Sequence, residues 1–158
     1  MKTATGAASS RDARGAQPDE RSTAAGSAGQ HALRTLSPAE CFGLLEPGGV
    51  GRVGFAAADG IMMLPVNFAV TRKTIVFRTA PDTLLAVYAD GRVSFQADHL
   101  DEALHEGWSV LVQGRAHTVT DEREVKQLEV ATRLEPWAAG PRDVYVRITP
   151  ARISGRRL

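Results

Sequence analysis

The segment Phe77-Arg78-Thr79-Ala80-Pro81-Asp82-Thr83 puts a guanidinium and two hydroxyls where a β-like run gives way to a helix start. Helix N-termini carry unpaired N–H groups and a partial positive charge, and proline is favoured at the first helical position, here Pro81. The planar fork of Arg78 matches a phosphate, and Thr79 and Thr83 offer hydroxyls beside the free N–H groups. Together they could hold one phosphate monoester. The alternative is that Arg78 is a solvated strand residue paired with Asp82. Residue types alone leave both readings open.

The elements that must position this junction follow from periodicity. Leu36 begins the ordered chain, and Ser37-Pro38-Ala39-Glu40 is a capping box with proline at the first helical position. Cys41, Leu44 and Leu45 give that short helix its apolar face, and Pro47-Gly48-Gly49 ends it. Period two then takes over. Residues 50–57 read as a strand, Asp59-Gly60 as a turn, and 61–70 as a second strand joined through Thr71-Arg72-Lys73 to a third at 74–79. Pro65 cannot donate to a ladder, so the second strand lies at an edge or carries a bulge there. A helix over 81–89 interrupts the sheet before a strand at 92–98. An acidic loop at 99–107 leads to a long strand at 108–118, and Asp121 caps a helix reaching about 134. A proline- and glycine-rich loop, 135–142, precedes two short strands, 144–149 and 152–155. Six or seven antiparallel strands with three helices suggest a mainly β fold closed into a small barrel, since closure removes exposed edges.

With 158 residues, 43% of them apolar, the chain can build one domain. Residues 1–34 are nearly all small or polar and are expected to be a disordered leader, leaving 35–158 as the domain. The formal net charge of +1 gives no reason to expect nucleic acid as a partner. A single cysteine, Cys41, excludes an intrachain disulfide framework and a cysteine-based zinc site. No apolar run approaches a membrane span, and no membrane partner is expected. The N-terminus lacks the apolar core of a secretory signal, although its serine-rich, arginine-containing composition imitates a transit peptide. The expected location is the cytoplasm.

Other candidates have simpler explanations. His99 and His105 with Asp98, Asp101, Glu102 and Glu106 match no metal-ligand spacing and read as a solvated loop. His117 reads as an exposed or hydrogen-bonded imidazole rather than a haem ligand, and Cys41 as buried packing. Trp108 and Trp137 could be core or interface aromatics. Asn67, within an apolar strand, needs a hydrogen-bond partner if buried. The basic tail, 152–157, is most simply a solvated end; it could instead close over an anionic ligand.

The order Val50-Gly51-Arg52-Val53-Gly54-Phe55, Pro65-Val66-Asn67-Phe68, Phe77-Arg78-Thr79, Gly107-Trp108-Ser109-Val110-Leu111-Val112-Gln113-Gly114-Arg115-Ala116, Glu135-Pro136-Trp137 and Gly140-Pro141-Arg142-Asp143 resembles the pyridoxamine 5'-phosphate oxidase-like family, in particular its short flavin-type members. The resemblance spans nearly all of the chain after the leader. It implies a split β-barrel that forms a homodimer, with FMN, or in relatives the deazaflavin F420, in clefts at the subunit interface. By the same resemblance Pro65, Val66, Asn67 and Phe68 line the isoalloxazine ring, and Arg78, Thr79 and Thr83 fall at the phosphate. Trp108 and Ser109 reach the flavin from the next strand, and Trp137 arrives from the partner subunit. An extended strand supplies regularly spaced polar groups beside such a ring, and aromatic residues cover its face.

The resemblance further implies an FMN-dependent oxidoreductase acting on a small-molecule substrate, with NAD(P)H as a reductant. No acid, base or nucleophile stands out, as expected where a flavin carries the redox chemistry. One departure is informative. Where relatives usually carry a lysine or arginine after the position of Thr83, this chain has Leu84 and Leu85. A missing cation removes a charge-assisted contact of about 1.5–3 kcal/mol. This feature favours the rival reading, a non-catalytic module holding a flavin or haem on the same fold. A third reading, an F420-dependent reductase, would need basic residues near the cleft, and Arg72, Lys73 and Arg142 are its candidates. The chain also ends at Gly155-Arg156-Arg157-Leu158, without the longer C-terminus that holds the substrate phosphate in true pyridoxamine phosphate oxidases, so that substrate is not assigned.

Overall fold

The structure is a computed structural model that describes residues 33–88, 90–135, 137 and 139–158. The expected leader therefore lies almost wholly outside the described residues. Order extends slightly further back than the periodicity suggested, because Arg34–Leu36 form a short strand, β1, against the C-terminal end of the chain. Helix α1 (Pro38–Leu45) follows, with the Ser37–Glu40 capping box formed in both directions. Cys41 and Leu45 bury its inner face completely.

Strands β2 (Gly49–Ala57), β3 (Gly60–Thr71) and β4 (Thr74–Thr79) make the expected meander. The β3–β4 link is a two-residue turn in which Arg72 and Lys73 both have positive φ, 48° and 59°. Helix α2 (Leu84–Val87) is shorter than expected: Thr83 is its N-cap, and Pro81 and Asp82 lie in the preceding turn. Strands β5 (Gly91–Asp101) and β6 (Glu106–Thr118) run further than their apolar alternation suggested, so most of the expected acidic loop is paired strand and only residues 102–105 remain as a turn. After α3 (Glu122–Thr132), the two expected short strands are one, β7 (Val144–Arg157), 14 residues long. Pro150 does not break it, because it sits beside a β-bulge opposite Gln113 and Gly114.

All pairings are antiparallel, in the order β1-β7-β4-β3-β2-β5-β6, and β6 returns to β7 to close a six-stranded ring. Alternation directs Val53, Phe55, Phe68, Phe77, Phe95, Val110, Val112, Val146 and Ile148 into the barrel. A T-shaped contact between Phe68 and Phe95, 4.8 Å between centroids, ties β3 to β5 across the interior. The opposite face of β4 and β7 presents Val76 and Tyr145 to Leu128 of α3, forming a second, smaller cluster with Val119 and Leu134. No helix among the described residues is long and apolar enough to cross a membrane.

Candidate functional site

The ring of strands opens along one line. β3 pairs with β4 only from Phe68↔Phe77 to Thr71↔Thr74. Carried further, that register would set Asn67 against Arg78 and Val66 against Thr79. Instead the strands part: Asn67 and Val66 pair with Val50 and Gly51 of β2, while Arg78 and Thr79 pair with Tyr145 and Val144 of β7. From Gly60 to Asn67, β3 is therefore bonded on one side only, and every second residue there aims backbone N–H and C=O groups into the opening. Pro65 lies on this stretch, opposite Arg52, where a missing N–H costs no ladder bond on the open side.

Alternation sorts the residues flanking the opening. Val66 and Phe68 point into the barrel and are buried at 6% and 3% exposure, so only their backbone can meet a ligand outside it. Pro65 and Asn67 lie on the outward face. On the other lip, Thr79 is fully buried, and its hydroxyl shares a 2.7 Å hydrogen bond with that of Thr83. The Thr83 hydroxyl donates to the Ala80 carbonyl at 2.8 Å and accepts from the Ala86 N–H at 3.3 Å. Being half-buried, Thr83 is the member of the pair within reach of a ligand.

Arg78 stands apart from these hydroxyls. Adjacent strand residues face opposite sides, so its side chain leaves the barrel while that of Thr79 enters it. Its guanidinium donates to the carbonyls of Arg142 at 2.7 Å and Leu134 at 3.3 Å, lies 3.6 Å from the Asp143 carboxylate, and stacks 5.2 Å from the Tyr145 ring centroid. The structure thus brings Thr79 and Thr83 together but not Arg78 with them. Burial raises the pKa of the Tyr145 hydroxyl, and the cation of Arg78 partly opposes that shift. Nor does Arg78 pair with Asp82, the alternative open at the sequence level; its anionic neighbour is Asp143.

Arg78 and Asn67 act on one segment. The Asn67 side-chain oxygen accepts from the backbone N–H of Trp137 at 3.0 Å, and Arg78 holds residues 134 and 142 of the same loop. The loop is thereby fastened to both lips of the opening. The Trp137 side chain is 82% exposed. Trp108 packs against the core, whereas Ser109 faces outward into a cavity of about 320 Å³ with Arg52, Met63 and Leu111. Of the two leucines in the expected cation position, Leu84 is 47% exposed and Leu85 is in the core at 9%. Only Leu84 leaves a place for a cation.

A closed antiparallel barrel, parted between two strands and strapped by a loop at the parting, defines the class: a split β-barrel. A family model described as pyridoxamine 5'-phosphate oxidase matches residues 37–157, and the chain belongs to that family. It is 40% identical over 85 residues to the uncharacterised protein Rv3129 of Mycobacterium tuberculosis, covering 53% of this chain and 74% of the relative. Among solved structures it is similar to the FAD-binding protein of Mycobacterium smegmatis, at 36% identity and a TM-score of 0.66, covering 78% of this chain and 97% of the other. It is also similar to a candidate pyridoxamine 5'-phosphate oxidase from Corynebacterium glutamicum, at 31% identity and a TM-score of 0.70, covering 80% and 92%.

Proposed function

We propose that this protein is a homodimeric flavin-dependent oxidoreductase, with FMN seated in the opening between β3 and β4. The observation that carries the reading is the parting of the ladder between the residues expected at the ring and those expected at the phosphate. The open edge of β3 at Pro65, Val66, Asn67 and Phe68 would run beside the isoalloxazine, its backbone groups meeting the ring's polar edge. The Thr83 hydroxyl would meet the phosphate by turning its one proton from the Ala80 carbonyl to the ligand, while still accepting from Thr79. Arg78 and Asn67 hold the loop that carries Trp137, whose exposed indole would lie near the ring. Ser109 would complete the approach from the outward face of β6, while Trp108 packs against the core behind it. A bound flavin would supply two-electron transfer, and the chain's own residues would bind and orient it.

Two further observations support the reading. The similar Mycobacterium smegmatis protein is described as binding FAD, which has the same reactive ring. Val50, Leu84, Val87 and Trp137 are exposed apolar side chains on segments flanking the opening, an arrangement suited to coverage by a second copy. The substrate is a small molecule reaching the ring from solvent, with NAD(P)H as reductant.

The test is a visible-absorption and fluorescence titration of the purified full chain with FMN, FAD, F420 and haem, alongside light scattering. Saturable flavin binding, reduction of the bound flavin by NAD(P)H and a dimer mass are expected. Absence of flavin or F420 binding at tens of micromolar would sink the proposal. Saturable flavin binding without reduction or turnover would replace it with the non-catalytic module, which the exposed Leu84 favours.

A further inference from the structure

On the outer face of the barrel lies a cavity of about 780 Å³ bordered by β2, β3, β5, β6 and β7. Its apolar wall includes Ile61 and Met63, which are 84% and 60% exposed. Its polar border carries Arg92, Arg115 and Arg152 and no carboxylate. Arg92 and Arg115 are direct cross-strand partners, a placement in which like charges repel. Arg152 pairs with Gln113 at the bulge, where Ala151 is left out of the ladder and the strand is bent.

Among the described residues, none of these three guanidinium groups forms a hydrogen bond or ion pair. Elsewhere on the same face Arg52 is paired with Asp98 at 2.8 Å, so its charge is answered within the chain. Three guanidinium groups bordering one cavity without an internal anion, beside an apolar wall in a cavity of ligand size, call for an external oxyanion attached to an apolar body. We propose that this cavity binds an amphipathic anion, with a carboxylate or phosphate head between Arg92, Arg115 and Arg152 and a hydrocarbon body against Ile61 and Met63. None of its lining residues is among those assigned to the flavin, although Met63 also borders the cavity of Ser109, so the arginines are the residues that test this site separately.

The probes are decanoate, decyl phosphate and the neutral decanol, titrated calorimetrically into the full chain below their aggregation concentrations. One saturable site per chain is expected for at least one of the two anions, and whichever binds more tightly identifies the head group. Arg92→Ala and Arg115→Ala should each weaken it about tenfold or more, the loss expected for a charge-assisted contact. Met63→Ser should weaken the anion through its body, with both arginines intact. The proposal is overturned by absence of saturable anion binding, by equal affinity for decanol, or by unchanged affinity in the Arg92→Ala/Arg115→Ala double variant. A shift of that double variant from dimer to monomer in light scattering would likewise overturn it, since the cluster would then serve a second copy. Flavin affinity of the arginine variants, measured in the same samples, is expected to be unchanged.

Discussion

At the residue scale, Arg78 and Thr79 differ most from their expected roles, and for a simple reason. Adjacent residues of a strand cannot serve one small ligand from one face. The same rule separates Pro65 and Asn67 from Val66 and Phe68, and Ser109 from Trp108. Alternation was visible in the sequence, so half of each expected pair could have been assigned to the core in advance. The bonds from Arg78 to residues 134 and 142 could not, because they join positions 56 and 64 residues apart through a loop with no periodic signal. The structure also divides the Leu84-Leu85 anomaly. Leu85 anchors α2 in the core, whereas Leu84 is exposed and follows Thr83 directly. Leu84→Lys would place an ammonium near the Thr83 hydroxyl without opening a core cavity. FMN affinity is expected to rise by about tenfold to a hundredfold, the equivalent of one charge-assisted contact. Fluorescence-quenching titration of both proteins measures it; equal or weaker binding by the variant would move the phosphate away from Thr83.

Among the elements, α1 is the best specified, and its cap yields a pH prediction. The Ser37 backbone N–H donates to Glu40 at 2.8 Å, Arg34 at 2.7 Å, and the Ser37 hydroxyl at 2.8 Å. These contacts, the backbone bond foremost, lower the Glu40 pKa from 4.5 to about 2. A carboxylate with a depressed folded-state pKa contributes stability that is complete above its unfolded value and lost as pH falls through the folded value. Wild-type protein should therefore lose stability from this group between pH 4.5 and about 2. Glu40→Gln should flatten that part of a plot of melting temperature against pH; a variant whose slope matches the wild type there would show that the cap contributes nothing. Helix α1 and the β3–β4 hairpin were legible because a local signal specifies each: a capping box, or alternation on both sides of a short link. The β5–β6 hairpin extended past its legible part because residues 99–101 are held by pairing with 106–108, in a stretch too polar to show a buried face. Pro150 looked like a strand end because its bulge depends on a partner 36 positions earlier, Gly114.

For the whole molecule, the fold is decided where β6 meets β7, since that pairing turns a twisted sheet into a ring. Closure brings two backbones together at Gly114. A Cβ there would run into the Thr149 carbonyl oxygen, with the Thr149 carbonyl carbon at 3.0 Å and the Pro150 Cα at 3.1 Å. All three are main-chain atoms, so relief requires a shift of the strand itself. Gly91, on the neighbouring strand, has nothing within 4 Å of the same construction. The pair separates a steric demand from a general effect of replacing glycine. Gly114→Ala should cost about 1–3 kcal/mol, as overpacking does, and lower the melting temperature by about 2–4 °C for each kcal/mol. Gly91→Ala should stay within about 0.5 kcal/mol of wild type, as a surface change does. Because the bulge carries Arg152 into the anion-binding cavity, Gly114→Ala should also weaken decanoate or decyl phosphate binding at temperatures where the variant remains folded. Thermal melts and the calorimetric titration read these effects independently. Equal melting temperatures for the two variants would mean that the β6–β7 seam has slack at Gly114, and that closure does not depend on the missing side chain.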